Sequence, residues 1–194
     1  MKLIALDVAL LPPGPVNALA TTLSASLPRK HSKGLRLDPA HPPHITLTQQ
    51  FVREAELDEV LDRIDRVARD TPPLPLHVPG GGRGRSSVWM AVDPAPELVA
   101  LHARLMDDLR GFERPAGGPG AFFEGDARPS DVIWVAGYRA KSSFTAYTPH
   151  ITLGHAPGPP SIAPFKFTAA TLAACHLGRF CTCRHVFRSW TLRA

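Results

Sequence analysis

The sequence predicts an α+β domain, and three observations support this. Segments with strand and helix patterns follow one another in the order strand, helix, strand, helix, strands, helix, strands. More of the connections suit antiparallel strands than parallel crossovers. The pentapeptide Pro-His-Ile-Thr-Leu also occurs twice, at residues 43–47 and 149–153, which indicates an internal duplication or a matched functional pair.

The first half of the chain predicts two strands and two helices. Residues 2–11 predict a strand, which the prolines of 12–15 end before a helix at 16–27. A polar, basic connection leads to a second strand at 44–52, which contains the first pentapeptide. Residues 54–69 carry apolar side chains at helical spacing and predict a second helix.

The middle of the chain is rich in glycine and proline. Residues 76–79 and 87–92 predict two strands that flank a hairpin tip at 80–85. Residues 94–110 predict a third helix whose apolar stripe is typical of core packing. Residues 111–130 predict an irregular segment and a candidate hinge or lid.

The last third predicts mostly strands. Residues 131–138 predict a strand or a short element that leads into the second pentapeptide. Residues 165–177 and 182–192 predict a closing pair of strands joined near Gly178.

Composition indicates one packed domain. The 194 residues are 44% hydrophobic and 20% charged, which excludes a disordered or fibrous chain. No apolar run reaches the roughly 20 residues that a membrane helix needs. Asp7 interrupts the apolar start and no small-residue cleavage site follows, so we expect a first strand, no signal peptide and a cytoplasmic protein. No obligate protein partner is evident, and we expect a monomer. Trp89 and Trp134 are expected to belong to the core.

The net charge of +5 favours phosphate-bearing partners through long-range attraction, although clustered charges more often form a solvated surface. The three cysteines, Cys175, Cys181 and Cys183, are too few and too crowded for a secreted disulfide framework. Zinc binding by these cysteines with His176 or His185 lacks the usual paired spacing, so free thiols are expected.

The two pentapeptides contain the candidate functional residues. If each copy is a strand, His44 and Thr46 point to one face while the two apolar residues point to the other. His150 and Thr152 repeat this arrangement in the second copy. A single copy of this pattern is common in half-buried strands, but two matched copies indicate a functional pair.

Two imidazoles can act together as a general acid and a general base. A histidine has an ordinary pKa of about 6.5, so one ring can be a base while the other is an acid near neutral pH. Hydrolysis of a phosphodiester needs both, because one group takes a proton from water and another supplies one to the departing oxygen. The threonine hydroxyls can bind the non-bridging phosphate oxygens, and the scheme requires no metal.

The two motifs resemble the paired His-x-Thr-x motifs of the 2H phosphoesterase superfamily, especially its 2′-5′ RNA ligase and 2′,3′-cyclic phosphodiesterase branch. The resemblance rests on residues 42–47 and 148–154, on the opening at 8–13, and on the spacing of 106 positions between the two histidines. The helix that follows the first motif and the helix at 94–110 also fit the order of elements in that family.

The resemblance implies one domain over residues 1–194, made of two pseudo-symmetric lobes with two antiparallel sheets and outer helices around a cleft. It implies hydrolysis or formation of a 2′,3′-cyclic phosphate without a metal or cofactor, with RNA termini or nucleotide cyclic phosphates as substrates. His44 and His150 would be the acid and base, and Thr46 and Thr152 would hold the phosphate. We assign His150 as the base and His44 as the acid, with the roles exchanged in ligation.

Further substrate contacts are expected from residues near the motifs. Tyr147 can stack on a base, and Arg36 and Lys141 lie in connections that can meet a phosphate or ribose. His41 and His155 flank the motifs, but strand alternation places His155 on the face opposite to the second motif's histidine if the strand is regular.

Two other classes of function stay open at this point. A non-catalytic module that binds RNA or nucleotide phosphates would keep the same cleft. Metal-dependent hydrolysis using the nine histidines lacks an accompanying acidic cluster at ligand spacing. The motifs also do not choose among transfer-RNA halves, other RNA ends, small cyclic nucleotides, ADP-ribose cyclic phosphate and 2′-5′ linked oligonucleotides.

Overall fold

A computed structural model describes residues 2–193 and confirms the α+β class. Within this range the chain forms nine strands and four α-helices, together with short 3₁₀ turns. The strands are β1 (Leu3–Leu11), β2 (Ile45–Arg53), β3 (Leu74–Val78), β4 (Gly81–Arg83), β5 (Ser87–Ala91), β6 (His150–His155), β7 (Phe165–Ala169), β8 (Thr171–Leu177) and β9 (Cys183–Thr191). The helices are α1 (Gly14–Ser26), α2 (Leu57–Arg69), α3 (Pro96–Asp108) and α4 (Pro129–Ser142).

Seven strands form one antiparallel sheet in the order β4-β5-β6-β2-β1-β8-β9, and β3 pairs separately with β7. The two pentapeptides lie on β2 and β6, which are neighbours at the middle of the sheet. These two strands share one residue pair, Ile45 with Ile151. The large sheet therefore consists of two parts that meet at the pentapeptides.

The pairing of Ile45 with Ile151 relates the two motifs by a local pseudo-two-fold axis. Each isoleucine is the third residue of its pentapeptide, so an antiparallel pair between them superposes one copy on the other after a half turn. The histidine of each copy thereby comes beside the threonine of the other copy. The two histidines stand on one diagonal of a four-cornered arrangement, and the two threonines stand on the other.

Both motif strands contain a β-bulge at the leucine of the pentapeptide. Leu47 is the extra residue where β2 pairs with β1, and Leu153 is the extra residue where β6 pairs with β5. A bulge reverses the inward and outward alternation of the residues that follow it. Gln49 and His155, which occupy equivalent positions, therefore point to the same face as the motif histidines. The expectation that His155 points away was wrong, because it assumed a regular strand.

A hydrophobic cluster covers each face of the sheet. Helices α1, α2 and α3 pack on one face, over the buried isoleucine and leucine side chains of both pentapeptides. Helix α4 packs on the other face beside Phe51 and Phe122, whose rings meet edge to face at 5.9 Å. The side chains of the motif histidines and threonines share this second face, so α4 forms one wall of the space above them.

Residues 131–138 belong to α4, which corrects the expected strand. Their apolar run of valine, isoleucine and tryptophan resembles a strand, but Pro129 in the first turn favours a helix start. The carboxylate of Asp131 also accepts a hydrogen bond from the backbone N–H of Arg128 at 2.9 Å, as in a helix cap. Residues 111–128 are irregular apart from short 3₁₀ turns, as predicted, whereas residues 129 and 130 already belong to α4. The role of the segment as a hinge or lid stays a prediction.

The strand pairing around the glycine-rich segment also differs from the prediction. Strand β3 pairs with β7 rather than with β5, and β5 pairs with β4, which lies inside the expected hairpin tip. Gly82 in β4 lies under the indole of Trp89, since a Cβ atom there would be 2.2 Å from the indole nitrogen. Strand β7 is likewise separate from the closing hairpin of β8 and β9.

The bulge in β6 depends on Gly154. This residue has a φ of +144°, and an added Cβ would lie 3.0 Å from the side chain of Leu27. We expect Gly154→Ala to lower the free energy of unfolding by about 1–3 kcal/mol, because the backbone region favours glycine and the contact is tight. Urea denaturation measures this, with Gly158→Ala as the matched control since Gly158 has open space around it. Equal stability of the two variants would contradict the prediction.

Candidate active site

A cavity of about 660 Å³ lies above the meeting point of β2 and β6. The structure brings the four motif residues His44, Thr46, His150 and Thr152 together in its lining. The cavity is lined from the opposite side by α4, and the residues before β6 form its end. The pairing of the two strands thus places two imidazoles and two hydroxyls in the lining of one cavity.

Both motif histidines are held by the same backbone contact. The Nδ1 atom of His44 lies 2.9 Å from the carbonyl oxygen of Pro42, and Nδ1 of His150 lies 2.7 Å from that of Thr148. A carbonyl oxygen only accepts hydrogen bonds, so each Nδ1 carries the proton and donates it. The tautomer of each neutral ring is therefore fixed, and Nε2 is the nitrogen that can take up or release a proton.

His150 has the properties of a base. Burial lowers its pKa, and the charge of nearby His44 lowers it further, while the hydrogen bond to the Thr148 carbonyl opposes both effects. Its ring also lies against the indole of Trp89, with 4.9 Å between the ring centroids. An imidazole with a lowered pKa is mostly neutral near pH 7, so its Nε2 lone pair is free to accept a proton.

His44 faces a buried carboxylate instead. Its Nε2 atom lies 3.6 Å from Oδ2 of Asp7, a residue on β1 that has no exposed surface. Burial raises the pKa of Asp7, whereas positive charge on His44 and hydrogen bonds from Gln49 and Thr46 act in the opposite direction. The two motif histidines therefore occupy electrostatically different environments.

The two motif threonines also differ, because only the first one is hydrogen-bonded to Asp7. The hydroxyl of Thr46 lies 3.1 Å from Oδ2 of Asp7, to which it donates its hydrogen bond. The hydroxyl of Thr152 makes no hydrogen bond to another residue between 2 and 193. Thr152 can thus donate directly to an anion in the cavity, while Thr46 must first turn away from Asp7.

Sequence reasoning missed the network below the first motif. Gln49 donates its amide N–H to Asp7 at 2.9 Å and accepts the indole N–H of Trp134 at 2.9 Å, which fixes the orientation of the amide. The signal for Asp7 was visible, because an acidic residue in the middle of an apolar strand is costly unless it has partners. Gln49 could not be found from alternation, since its orientation depends on the bulge.

Another missed residue, His102, supports the first motif from α3. It is fully buried, and burial lowers its pKa. Its Nδ1 donates to the carbonyl oxygen of Leu47, and its Nε2 accepts the backbone N–H of Phe144 at 2.8 Å. Tyr147 stacks on the His102 ring at 3.9 Å and donates its hydroxyl to the carbonyl oxygen of Thr46 at 3.0 Å. The pair therefore holds the backbone of the bulge in place.

The remaining predicted contacts have different positions. The ring of Tyr147 and the side chain of Lys141 line the cavity. Arg36 does not, because its guanidinium binds the carbonyl oxygens of Ser24 and Leu27 at the end of α1. The geometry gives Arg36 a structural contact in place of the expected phosphate contact.

Both tryptophans that were expected in the core line the cavity instead. Trp134 is 45% exposed, and its indole N–H reaches Gln49. Trp89 lies on the cavity face of β5, beside Thr152 in the strand pairing. Sequence composition assigned them to the core because large aromatic side chains are usually buried, whereas here they form aromatic walls around the motif residues.

Comparison with known proteins identifies the family. A sequence profile described as the 2′-5′ RNA ligase superfamily matches residues 12–180, which is most of the chain. The chain belongs to the 2′-5′ RNA ligase superfamily. This match confirms the resemblance to 2H phosphoesterases, and a search of curated protein sequences found no match.

Solved structures share the superfamily fold at low sequence identity. TT0787 of Thermus thermophilus is 18% identical, with a TM-score of 0.65, and the alignment covers 98% of this chain and 99% of that one. LigT of E. coli in its apo form is 18% identical, with a TM-score of 0.61 and full coverage of both chains. A structure described as a phosphoesterase is 18% identical, with a TM-score of 0.62 and coverage of 98% and 99%. Within residues 2–193, none of the helices has the length and apolar character to cross a membrane.

One group of side chains in this superfamily member brings together atoms of the kind that bind metals. Asp7, His44 and Cys183 have such atoms within 4.8 Å of one another, which is the one such group among residues 2–193. A cysteine binds a metal as a thiolate, but burial raises the pKa of the Cys183 thiol. Oδ2 of Asp7 already accepts two hydrogen bonds. We interpret the group as a carboxyl group and an imidazole in contact beside a neutral thiol.

The hydrogen bond from Tyr147 to the first motif can be tested by substitution. We expect Tyr147→Phe to lower the free energy of unfolding by about 1 kcal/mol, because the Thr46 carbonyl loses its partner while the stacking on His102 stays. Equilibrium urea denaturation measures the difference. Tyr138→Phe is the matched control, since Tyr138 lines the same cavity and its hydroxyl makes no hydrogen bond to residues 2–193. A larger loss in the control would overturn this assignment.

Proposed function

We propose that this protein is a metal-independent 2′,3′-cyclic phosphodiesterase that acts on RNA ends or nucleotides through two histidines. The observation that carries the proposal is the matched anchoring of the two imidazoles. Each Nδ1 is bound to the carbonyl two residues earlier, and both rings line one cavity beside a threonine hydroxyl. This arrangement supplies one proton acceptor and one proton donor to a single phosphate.

The two environments support these roles in hydrolysis. His150, whose pKa is lowered, takes a proton from water on Nε2 as the water oxygen forms a bond to phosphorus. The bond from phosphorus to the ribose O2′ or O3′ breaks, and protonated His44 donates its Nε2 proton to that oxygen. The net result is an opened phosphomonoester, with the proton moved from His44 to His150 and the rings reset by exchange with solvent.

The threonines and Lys141 would bind the phosphate. Negative charge on the non-bridging oxygens increases in the transition state, where hydroxyl donors stabilise it. Thr152 is ready to donate, and Thr46 joins after its hydroxyl turns from Asp7 towards the stronger charge. The ammonium group of Lys141 in the cavity lining adds attraction for the anion. In the reverse direction the same groups would join a 2′,3′-cyclic end to a 5′-hydroxyl, which is the ligase reaction of the superfamily's name.

Nucleotide phosphates as substrates have further support. The fold relative LigT of E. coli was crystallised with 3′-AMP, with phosphate, with ATP and with NADP+. The aromatic walls formed by Trp89 and Trp134 offer stacking surfaces for bases or adenine rings. The net charge of +5 favours polynucleotide ends, which carry many phosphates, over mononucleotides with a single phosphodiester.

Loss of either motif histidine should nearly abolish turnover. In EDTA, we expect His44→Ala and His150→Ala to lower kcat for 2′,3′-cyclic mononucleotides or RNA ending in a cyclic phosphate about 10²- to 10⁴-fold. His41→Ala is the matched control, because His41 flanks the first motif but is bound to Asp38 outside the cavity lining. Wild-type protein that binds these phosphates without turnover would favour the non-catalytic binding module. Activity that EDTA abolishes and a divalent metal restores would contradict metal independence.

The pH dependence should report the lowered pKa of His150. The base must be neutral to act, so a lowered pKa moves the rising, acidic limb of the kcat/KM profile to a lower pH. We expect the midpoint of that limb below the ordinary histidine value of about 6.5. A steady-state pH profile in EDTA measures it, and a rising limb centred well above that value would argue against His150 as the base.

A further inference from the structure

We propose that Asp7 is the positioning residue that makes His44 the acid of the pair and so sets the direction of proton transfer. This inference rests on the proposed function and adds a residue outside both pentapeptides. Asp7 lies on β1, below the cavity, and is not among the residues that line it.

One carboxylate oxygen of Asp7 lies close to three polar side chains of the first motif and its strand. Oδ2 accepts the Thr46 hydroxyl at 3.1 Å and the Gln49 amide at 2.9 Å, and it lies 3.6 Å from Nε2 of His44. The other oxygen, Oδ1, is buried and has no hydrogen-bond partner among residues 2–193. A negative charge in this position lies beside the ring of His44.

The second motif strand has no equivalent carboxylate. Asp7 pairs with Gln49 in the β1–β2 ladder, and the equivalent of Gln49 is His155, which pairs with Ser87 in the β5–β6 ladder. A neutral serine thus occupies the position that corresponds to Asp7, and His150 lies against the indole of Trp89 instead. The backbones of the two motifs therefore follow the local two-fold relation. Their surroundings do not, because a carboxyl group lies beside the first motif and a neutral serine beside the second.

The other titratable groups around Asp7 and His44 do not add a negative charge near pH 7. Burial raises the pKa of both neighbouring tyrosines and of two cysteines, so these groups are neutral near pH 7. Burial lowers the pKa of the neighbouring histidine on β6. The titratable side chains that face Asp7 or His44 from the surrounding elements are Tyr138, Tyr147, His150, Cys175, Cys181 and Cys183.

The effect on catalysis follows from this asymmetry. A carboxylate beside one imidazole stabilises its protonated form, whereas the other imidazole has burial without a countercharge. The pair of rings is thereby prepared in the charge state that hydrolysis needs, with a donor at His44 and an acceptor at His150. Without Asp7 the two rings would compete more equally for the proton, and the fraction of molecules in the productive state would fall as the pH rises.

The substitution Asp7→Asn tests this directly, because the amide keeps the shape and removes the charge. We expect the ratio of kcat/KM at pH 8 to that at pH 6 to fall about tenfold relative to wild type, since the acid loses its proton at a lower pH. Burial raises the pKa of Asp7 in the folded state, so stability falls as the pH rises above the ordinary aspartate pKa. We therefore expect a melting temperature equal to or above that of wild type.

Asp131→Asn is the matched control. Asp131 is also buried, but its carboxylate binds the Arg128 side chain and the backbone N–H of Phe180 rather than a motif histidine. We expect this variant to lose stability and to keep the wild-type shape of the pH profile. A pH profile that is unchanged in Asp7→Asn, or an activity loss that is equal at all pH values with a lowered melting temperature, would overturn the proposal.

A second measurement keeps this inference separate from the proposed function. Titration of the His44 ring by ¹⁵N NMR needs no substrate and is compared between wild type and Asp7→Asn. We expect the ring to lose its proton at a lower pH in the variant, while the His150 ring changes less. Identical His44 titrations would overturn the role of Asp7 even if the enzyme is active. A shifted titration would support it even if the cyclic phosphodiesterase assay fails.

Discussion

The pairing of Ile45 with Ile151 is the constraint on which the site depends. The two parts of the large sheet meet at this residue pair, and both isoleucines are fully buried. Because each occupies the same place in its pentapeptide, the pairing fixes the relative position of the four polar motif side chains without a direct contact between them. Apolar packing on one face of the sheet therefore sets the positions of the polar motif side chains on the other face. Those side chains stay available to bind a ligand in the cavity.

The matched bulges at Leu47 and Leu153 extend this arrangement by one further pair of side chains. They turn Gln49 and His155 to the cavity face at equivalent positions, where regular strands would bury them in the opposite core. The equivalence ends with the chemistry of the two residues. The amide connects Trp134 to the buried carboxylate, whereas the imidazole lies near Ser86 at 3.3 Å and near the ring of Phe180. The repeated backbone thus places Gln49 and His155 at equivalent positions, but their side chains make different contacts.

Much of this organisation could be predicted from the sequence, because local patterns determine it. The first two helices and both pentapeptide strands follow from alternation and helical spacing. Features that depend on contacts between distant segments could not be predicted in this way. The bulges require the partner strands, and the partner of β3 lies about 90 residues further along the chain. The short apolar run in α4 by itself predicts a strand, because its helical start depends on Pro129 and on the cap contact of Asp131.

The buried position of Asp7 connects stability with function. Burying a carboxylate costs free energy, and the raised pKa of Asp7 expresses that cost, because the folded state favours the protonated acid. Hydrogen bonds from Thr46 and Gln49 and the charge of His44 offset part of it. The cost falls as His44 becomes positive and returns when His44 gives up its proton. In the proposed mechanism, the energy of the carboxylate is therefore lowest before the proton transfer, when the ring beside it is positive.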